Sequence, residues 1–154
     1  MCIRDRLKSQ TPPSHFRALF NEIVNSYPNR LLCFTDGSKR GNRVGCAYSI
    51  NRVEFRTFVI EIHQPFFTAE LQPIHHCLID LMNLPPSSHP QNFLITSDSV
   101  VALLAIQDVN SSHPLVQRIH IQLNLKPPNH HVTFVWTSGP VSYTHLTLPT
   151  IYSV

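Results

Sequence analysis

The spacing of apolar residues along the chain switches between two periods, and each period predicts one kind of element. Five apolar runs rich in β-branched and aromatic residues predict strands. The predicted strands are Leu31–Thr35, Val44–Ile50, Glu54–Ile62, Asn92–Thr96 and Val132–Trp136. Stretches with apolar residues three and four positions apart predict helices instead. The predicted helices run from Phe16 to Val24, from an N-cap at Thr68 to Met82, over Val100–Gln107 behind a Ser99 cap, and over Pro114–Leu125.

The order of these elements predicts a mixed α/β sheet. The first three strands follow one another closely, with a turn predicted at Gly37–Asn42, so we expect an antiparallel meander. Strands four and five are reached through helices, and such crossovers place them parallel to strand one. We therefore expect a five-stranded sheet in the order 3-2-1-4-5 with helices packed on it.

The composition indicates one folded domain without a membrane-spanning segment. Of 154 residues, 42% are hydrophobic and 14% charged, which suits a single core. The net charge of +3 permits nucleic-acid binding without arguing for it. Four cysteines form no Cys-x-x-Cys pair, which is typical of reduced thiols in an intracellular protein. No apolar run approaches the roughly 20 residues of a membrane helix, so we expect a location in the cytoplasm or the nucleus.

Three short acidic motifs lie at the ends of predicted elements. FTDGS carries Asp36 after the first strand, TAEL carries Glu70 at a helix start, and TSDS carries Asp98 after the fourth strand. Because strands one and four are expected to be parallel neighbours, these carboxylates should meet at one edge of the sheet. Oxygen ligands of this kind suit a hard divalent cation such as Mg²⁺.

Each acidic residue also has an ordinary explanation. Asp36 can start an Asp-Gly turn, Glu70 can favour the dipole at a helix start, and Asp98 can be an N-cap. For the motifs to be accidental, all three explanations must hold together, in this order and with these flanking residues. The combined pattern is therefore far more specific than any one of its members.

In this order, the motifs resemble the ribonuclease H family, and most closely its retrotransposon branch, in which the domain accompanies a reverse transcriptase. The GCAY stretch from Gly45 and the position of Trp136 at the end of the fifth strand are similar as well. The resemblance extends from Leu31 to Trp136 and implies a ribonuclease H-like fold.

The resemblance implies a metal-dependent endonuclease that hydrolyses the RNA strand of an RNA–DNA hybrid. It implies two Mg²⁺ ions, with Mn²⁺ as a substitute, held by the catalytic residues Asp36, Glu70 and Asp98. The candidate substrate contacts are Gly37, Ser38 and Ser99. Small polar residues at these positions serve equally well to form turns. The implied partners are the hybrid and a reverse transcriptase domain upstream in the same polyprotein.

The chain departs from the family pattern in its C-terminal part. The family carries a fourth carboxylate, an Asp on a last helix, preceded by a loop that bears a His. Here no Asp or Glu follows Asp108, and the residues after Trp136 do not match the family loop. We therefore expect the last helix and its ligand to be missing, and this fragment to be inactive.

Both ends of the chain look foreign to the domain. MCIRDR at the start and VSYTHLTLPTIYSV from Val141 onward resemble peptides translated from sequencing-adapter DNA. A natural tail with strand-like alternation is the alternative. We expect three segments: residues 1–29 with a non-native start and a lead-in helix, residues 30–140 with the ribonuclease H-like domain, and residues 141–154 as a non-native tail.

Two other classes of function compete with the enzyme. A non-catalytic ribonuclease H-like module could bind nucleic acid or support a neighbouring polymerase, and the missing fourth ligand fits that role. Three mutually repelling acids argue instead for a catalytic ancestor. An integrase-like core is disfavoured by the DGS motif followed by the TAEL helix start. The natural sequence downstream of Pro140 would distinguish these hypotheses.

Overall fold

A computed structural model of the chain describes residues 13–40, 43–51, 54–60, 66–85, 87, 89–137 and 149–153. Its helices are α1 (Pro13–Asn25), α2 (Phe66–Met82), α3 (Val100–Gln107) and α4 (Pro114–Leu125). Its strands are β1 (Arg30–Arg40), β2 (Arg43–Ile50), β3 (Glu54–Ile60), β4 (Gln91–Ser97), β5 (His130–Thr137) and β6 (Pro149–Ser153).

The mixed α/β sheet has the strand order 3-2-1-4-5, which confirms the predicted fold class, and β6 extends it beside β5. The pairs β1–β2 and β2–β3 are antiparallel, whereas β4 is parallel to both β1 and β5. The antiparallel strand β6 was not predicted, because the tail was interpreted as foreign to the domain. Of the residues that follow β5, only 149–153 are described, and the predicted tail and final loop otherwise lie outside the described residues.

Several element boundaries differ from the prediction, and two of these differences affect the acidic motifs. Residues 37–40, predicted as a turn, continue strand β1, because the ladder with β2 runs as far as the Arg40–Arg43 pair. Helix α2 begins at Phe66, so Thr68 is not its N-cap and Glu70 lies one turn inside the helix. The helix starts early because Phe67 already packs on the main core.

The sheet is covered on both faces by helices. The main core on one face joins β-strand residues such as Cys33 and Ile95 to Leu78 of α2 and to residues of α3 and α4. On the opposite face, Phe20 of α1 packs with its neighbours against Leu94 of β4 and against β5. This two-sided burial explains why the central strands are almost continuously apolar. None of the helices among the described residues is long and apolar enough to cross a membrane.

Two threonines tie β1 to β4 just before the acidic residues. Thr35 Oγ1 donates a hydrogen bond to the Thr96 carbonyl, and Thr96 Oγ1 donates one to the Cys33 carbonyl, each at 2.9 Å. Both threonines are buried, so their hydroxyl groups cannot form hydrogen bonds with bulk water. The two carbonyl partners replace those bonds. The two bonds, which we call the threonine clasp, fix the strands that carry Asp36 and Asp98.

Removing one hydroxyl of the threonine clasp should weaken the fold. Thr96→Val keeps the shape of the side chain but removes the donor to the Cys33 carbonyl. We expect the free energy of unfolding to fall by about 1 kcal/mol in urea denaturation. Thr57 on β3 is exposed, so Thr57→Val is a matched control with an expected change below about 0.5 kcal/mol. Equal effects at the two positions would show that the clasp adds nothing.

Candidate functional site

Asp36 and Asp98 are the next residues after the last pair of the β1–β4 ladder. That ladder ends with the pair of Thr35 and Ser97, whereas β1 continues in its ladder with β2. Asp36 therefore lies within strand β1, whereas the sequence predicted it directly after the end of that strand. Its side chain is exposed, and that of Asp98 is half-buried. The end of β4 thus brings two of the three predicted acidic residues to neighbouring positions.

Glu70 reaches the same edge of the sheet from helix α2. A β-carbon built on Gly37 would lie 2.9 Å from both Glu70 Cδ and the Ala69 carbonyl oxygen, so the helix rests directly on the strand backbone. The Gly37 N–H donates a hydrogen bond to the Glu70 carboxylate. Pro73 lies in the helix interior and cannot donate to the Ala69 carbonyl, which faces β1. The glycine therefore determines how closely Glu70 approaches the strand.

In the acidic cluster, which we define as Asp36, Glu70 and Asp98, the pKa values of Glu70 and Asp36 are raised, first by burial and second by the neighbouring negative charges. Burial, followed by the charges of Asp98 and Asp36, raises the pKa of Glu70 to about 8, against the opposing effect of the Gly37 N–H. Burial and the charge of Asp98 also raise the pKa of Asp36. Because Asp36 remains exposed, water screens much of the repulsion that it feels.

The donor chemistry of the acidic cluster fits a hard cation. Glu70 Oε2 is buried and has no hydrogen-bond partner within the described part of the chain. Such an oxygen is unfavourable unless a proton or a cation satisfies it. Among the described residues, however, no three His, Cys, Asp or Glu side chains are arranged to hold an ion as they stand. The cluster is open, and cation binding by Asp36, Glu70 and Asp98 stays a prediction.

Cys46 is a neighbour of the cluster that the sequence analysis did not assign to it. It lies opposite Gly37 in the β1–β2 ladder, so its side chain is on the face that α2 covers. The thiol is buried, and burial together with the charge of Glu70 raises its pKa to about 11. Cys46 therefore places a buried, uncharged thiol beside Glu70. Only the strand register, which a sequence does not fix, reveals this contact.

The three candidate substrate contacts differ in how their polar groups are used. Gly37 gives its N–H to Glu70. The Ser99 hydroxyl accepts from the Ala102 N–H at 3.2 Å and so has the predicted capping role at α3. The exposed Ser38 hydroxyl donates a long hydrogen bond of 3.4 Å to the Gly45 carbonyl. Ser38 is therefore the candidate whose hydroxyl is most accessible to a ligand.

No protein-family model matches this chain, and no curated protein is found to be related to it. A function is therefore inferred from the acidic motifs, from the acidic cluster and from the position of that cluster in the fold.

A methyl group at position 37 should force α2 away from β1. In Gly37→Ala the new β-carbon would lie 2.9 Å from the Ala69 carbonyl and from Glu70. We expect chemical denaturation to show a loss of roughly 1–3 kcal/mol in unfolding free energy. Gly45→Ala is the control, because its nearest contacts would be at 3.4 Å and 3.5 Å, and it should be nearly neutral. A tolerated Gly37→Ala would refute the tight approach.

The raised pKa of Glu70 should make the protein less stable as the pH rises. The pKa is about 8 in the folded protein against a reference value of 4.5, so between these values the folded state holds the extra proton. The stabilisation from this proton is fully present below the reference pKa and is lost as the pH rises through 8, a loss on the order of 5 kcal/mol.

Glu70→Gln removes this titration and nearly preserves the side-chain shape. The advantage of the variant over the wild type in unfolding free energy should therefore grow between about pH 5 and pH 9. Denaturation curves at several pH values, with no divalent cation added, measure it. A difference that does not change with pH would contradict a buried and repelled carboxyl group.

Proposed function

We propose that this chain is a ribonuclease H-like domain of a retroelement polyprotein, a metal-dependent endonuclease that hydrolyses the RNA strand of RNA–DNA hybrids. The observation that carries the proposal is the acidic cluster, in which a buried Glu70 with a pKa of about 8 lies beside two aspartates. Repelling carboxylates are unfavourable in a fold. A bound cation would relieve that repulsion and would partner the buried oxygen of Glu70.

The residues of the cluster have distinct positions for this chemistry. Asp36, Glu70 and Asp98 would hold Mg²⁺ or Mn²⁺, and two such ions would supply an activated water and stabilise the leaving oxygen of a phosphodiester. Asp36 is the exposed member of the cluster, so its carboxylate would be accessible to a nucleic acid. Helix α2 and Cys46 shield Glu70 from water on the other side, which strengthens its electrostatic interactions.

The choice of the RNA strand would depend on its 2′-hydroxyl groups, which are accessible in the wide minor groove of a hybrid. The exposed Ser38 hydroxyl beside Asp36 is the described group best placed to contact the substrate. By the same resemblance, we propose an intracellular location and a reverse transcriptase domain in the same polyprotein.

A non-catalytic nucleic-acid-binding module is the second candidate function. It is favoured by the open arrangement of the carboxylates, since no three possible ligands are gathered around one point in the described residues.

Hybrid cleavage separates the two functions. The chain of 154 residues should cleave a labelled RNA–DNA hybrid very slowly or not at all with Mg²⁺ or Mn²⁺. The physical reason is that three carboxylates place the second ion poorly. A version extended by a C-terminal helix that carries the fourth Asp should be faster by orders of magnitude. In that version Asp36→Asn should abolish cleavage, whereas Asp108→Asn, at the exposed end of α3, should not.

The other outcomes are equally informative. Hybrid binding without cleavage by the extended version would favour the non-catalytic module. Cleavage that survives Asp36→Asn would exclude the acidic cluster as the active site. Rapid cleavage by the chain of 154 residues would show that a fourth carboxylate is dispensable.

A further inference from the structure

The single tryptophan of the chain is bonded to the backbone of one acidic residue. Trp136 Nε1 donates a hydrogen bond of 2.8 Å to the Asp98 carbonyl oxygen, across 38 positions of sequence. Trp136 lies opposite Ser97 in the β4–β5 ladder, so the indole reaches the residue that follows Ser97. The ring is half-buried and packs against the main core, which fixes the position of its N–H.

Local hydroxyl groups hold the residues on either side of Asp98. Ser97 Oγ accepts from the Ser99 N–H, and Ser99 Oγ accepts from the Ala102 N–H, both at 3.2 Å. These bonds join residues close in sequence and define the turn from β4 into α3. The indole bond is different, because it ties the Asp98 peptide itself to another strand of the sheet.

We propose that Trp136 is a positioning residue for Asp98, one that fixes the peptide from which the carboxylate projects toward the acidic cluster. Repulsion from Asp36 and Glu70 favours rotation of Asp98 away from the cluster. A donor on a neighbouring strand resists that rotation by holding the carbonyl of the same residue. The part of the inference that concerns a cation rests on the proposed function, whereas the hold on the Asp98 peptide does not.

The first test needs no cation. Trp136→Phe keeps an aromatic ring against the core and removes the N–H donor. Amide hydrogen exchange at Asp98, Ser99 and Ala102 should become about tenfold faster than in the wild type, beyond the effect of reduced global stability. Val132→Ala on the same strand is the matched control, because it removes core packing at a buried position and leaves the indole bond in place.

In Val132→Ala, exchange at these three amides should change only in proportion to global stability. If exchange at these amides in Trp136→Phe also changes only in proportion to global stability, Trp136 is a packing residue. The proposal then fails, whatever the protein binds.

The second test uses Mg²⁺ alone and the fluorescence of Trp136. Titration of the wild-type chain should give a saturable change in emission, because a cation at Asp98 alters the electrostatic field beside the indole. Asp98→Asn should lose the change, and Asp108→Asn should keep it. In calorimetry, Trp136→Phe should bind Mg²⁺ about 10–100-fold more weakly than the wild type, as is usual when a group that orients a metal ligand is lost.

Val132→Ala should bind Mg²⁺ with wild-type affinity. Equal affinities of Trp136→Phe and the wild type would overturn the positioning role. If the wild type shows no response to Mg²⁺ but Trp136→Phe still accelerates exchange at Asp98, the hold on Asp98 is supported and the proposed cation chemistry is refuted.

Discussion

The parallel pairing of β1 with β4 is the interaction on which the candidate site depends. The ladder runs from the pair of Arg30 and Asn92 to the pair of Thr35 and Ser97, and the threonine clasp closes it. Asp36 and Asp98 follow this last pair directly. A shift of one residue in register would turn the side chains of one strand to the opposite face of the sheet. The register therefore determines both the core and the proximity of the two aspartates.

Helix α2 adds the third carboxylate because it is held to the sheet along its length. Near its start, Gly37 allows direct contact with the strand backbone. Further along, Tyr48 donates a hydrogen bond to Asp80 at 2.5 Å, and Arg56 lies 3.5 Å from the same carboxylate. Burial, and next the bond to Asp80, raises the pKa of Tyr48, so the hydroxyl stays a proton donor. With the helix fixed in this way, Glu70 cannot move away from the charges of the aspartates.

The site is thus a compromise between packing and electrostatics. Close packing of α2 on β1 buries Glu70 and raises its pKa, while the Gly37 backbone N–H and the Trp136 indole N–H hold Glu70 and Asp98 in place. These donors are fixed by sheet geometry and by a core side chain, so they limit how far the charged side chains can separate.

The sequence alone was sufficient for four helices, for five of the six strands among the described residues and for the order of those five, and it singled out the three acidic residues as candidates. Apolar period and cap residues are local properties, which is why α3 behind Ser99 and α4 from Pro114 have their predicted bounds. The order 3-2-1-4-5 followed from connection lengths and crossover handedness. The resemblance of the motifs supplied the functional hypothesis.

Only the tertiary structure decided the features that depend on residues far apart in the chain. Strand β1 continues beyond Asp36 because β2 supplies hydrogen-bond partners. Helix α2 begins early because Phe67 packs on the core, where its ring centroid lies 5.2 Å from that of His113. The approach of α2 at Gly37 and the bond from Trp136 to Asp98 likewise join separate elements. Local sequence patterns do not encode such contacts, because register and helix placement arise from the packing of the whole sheet.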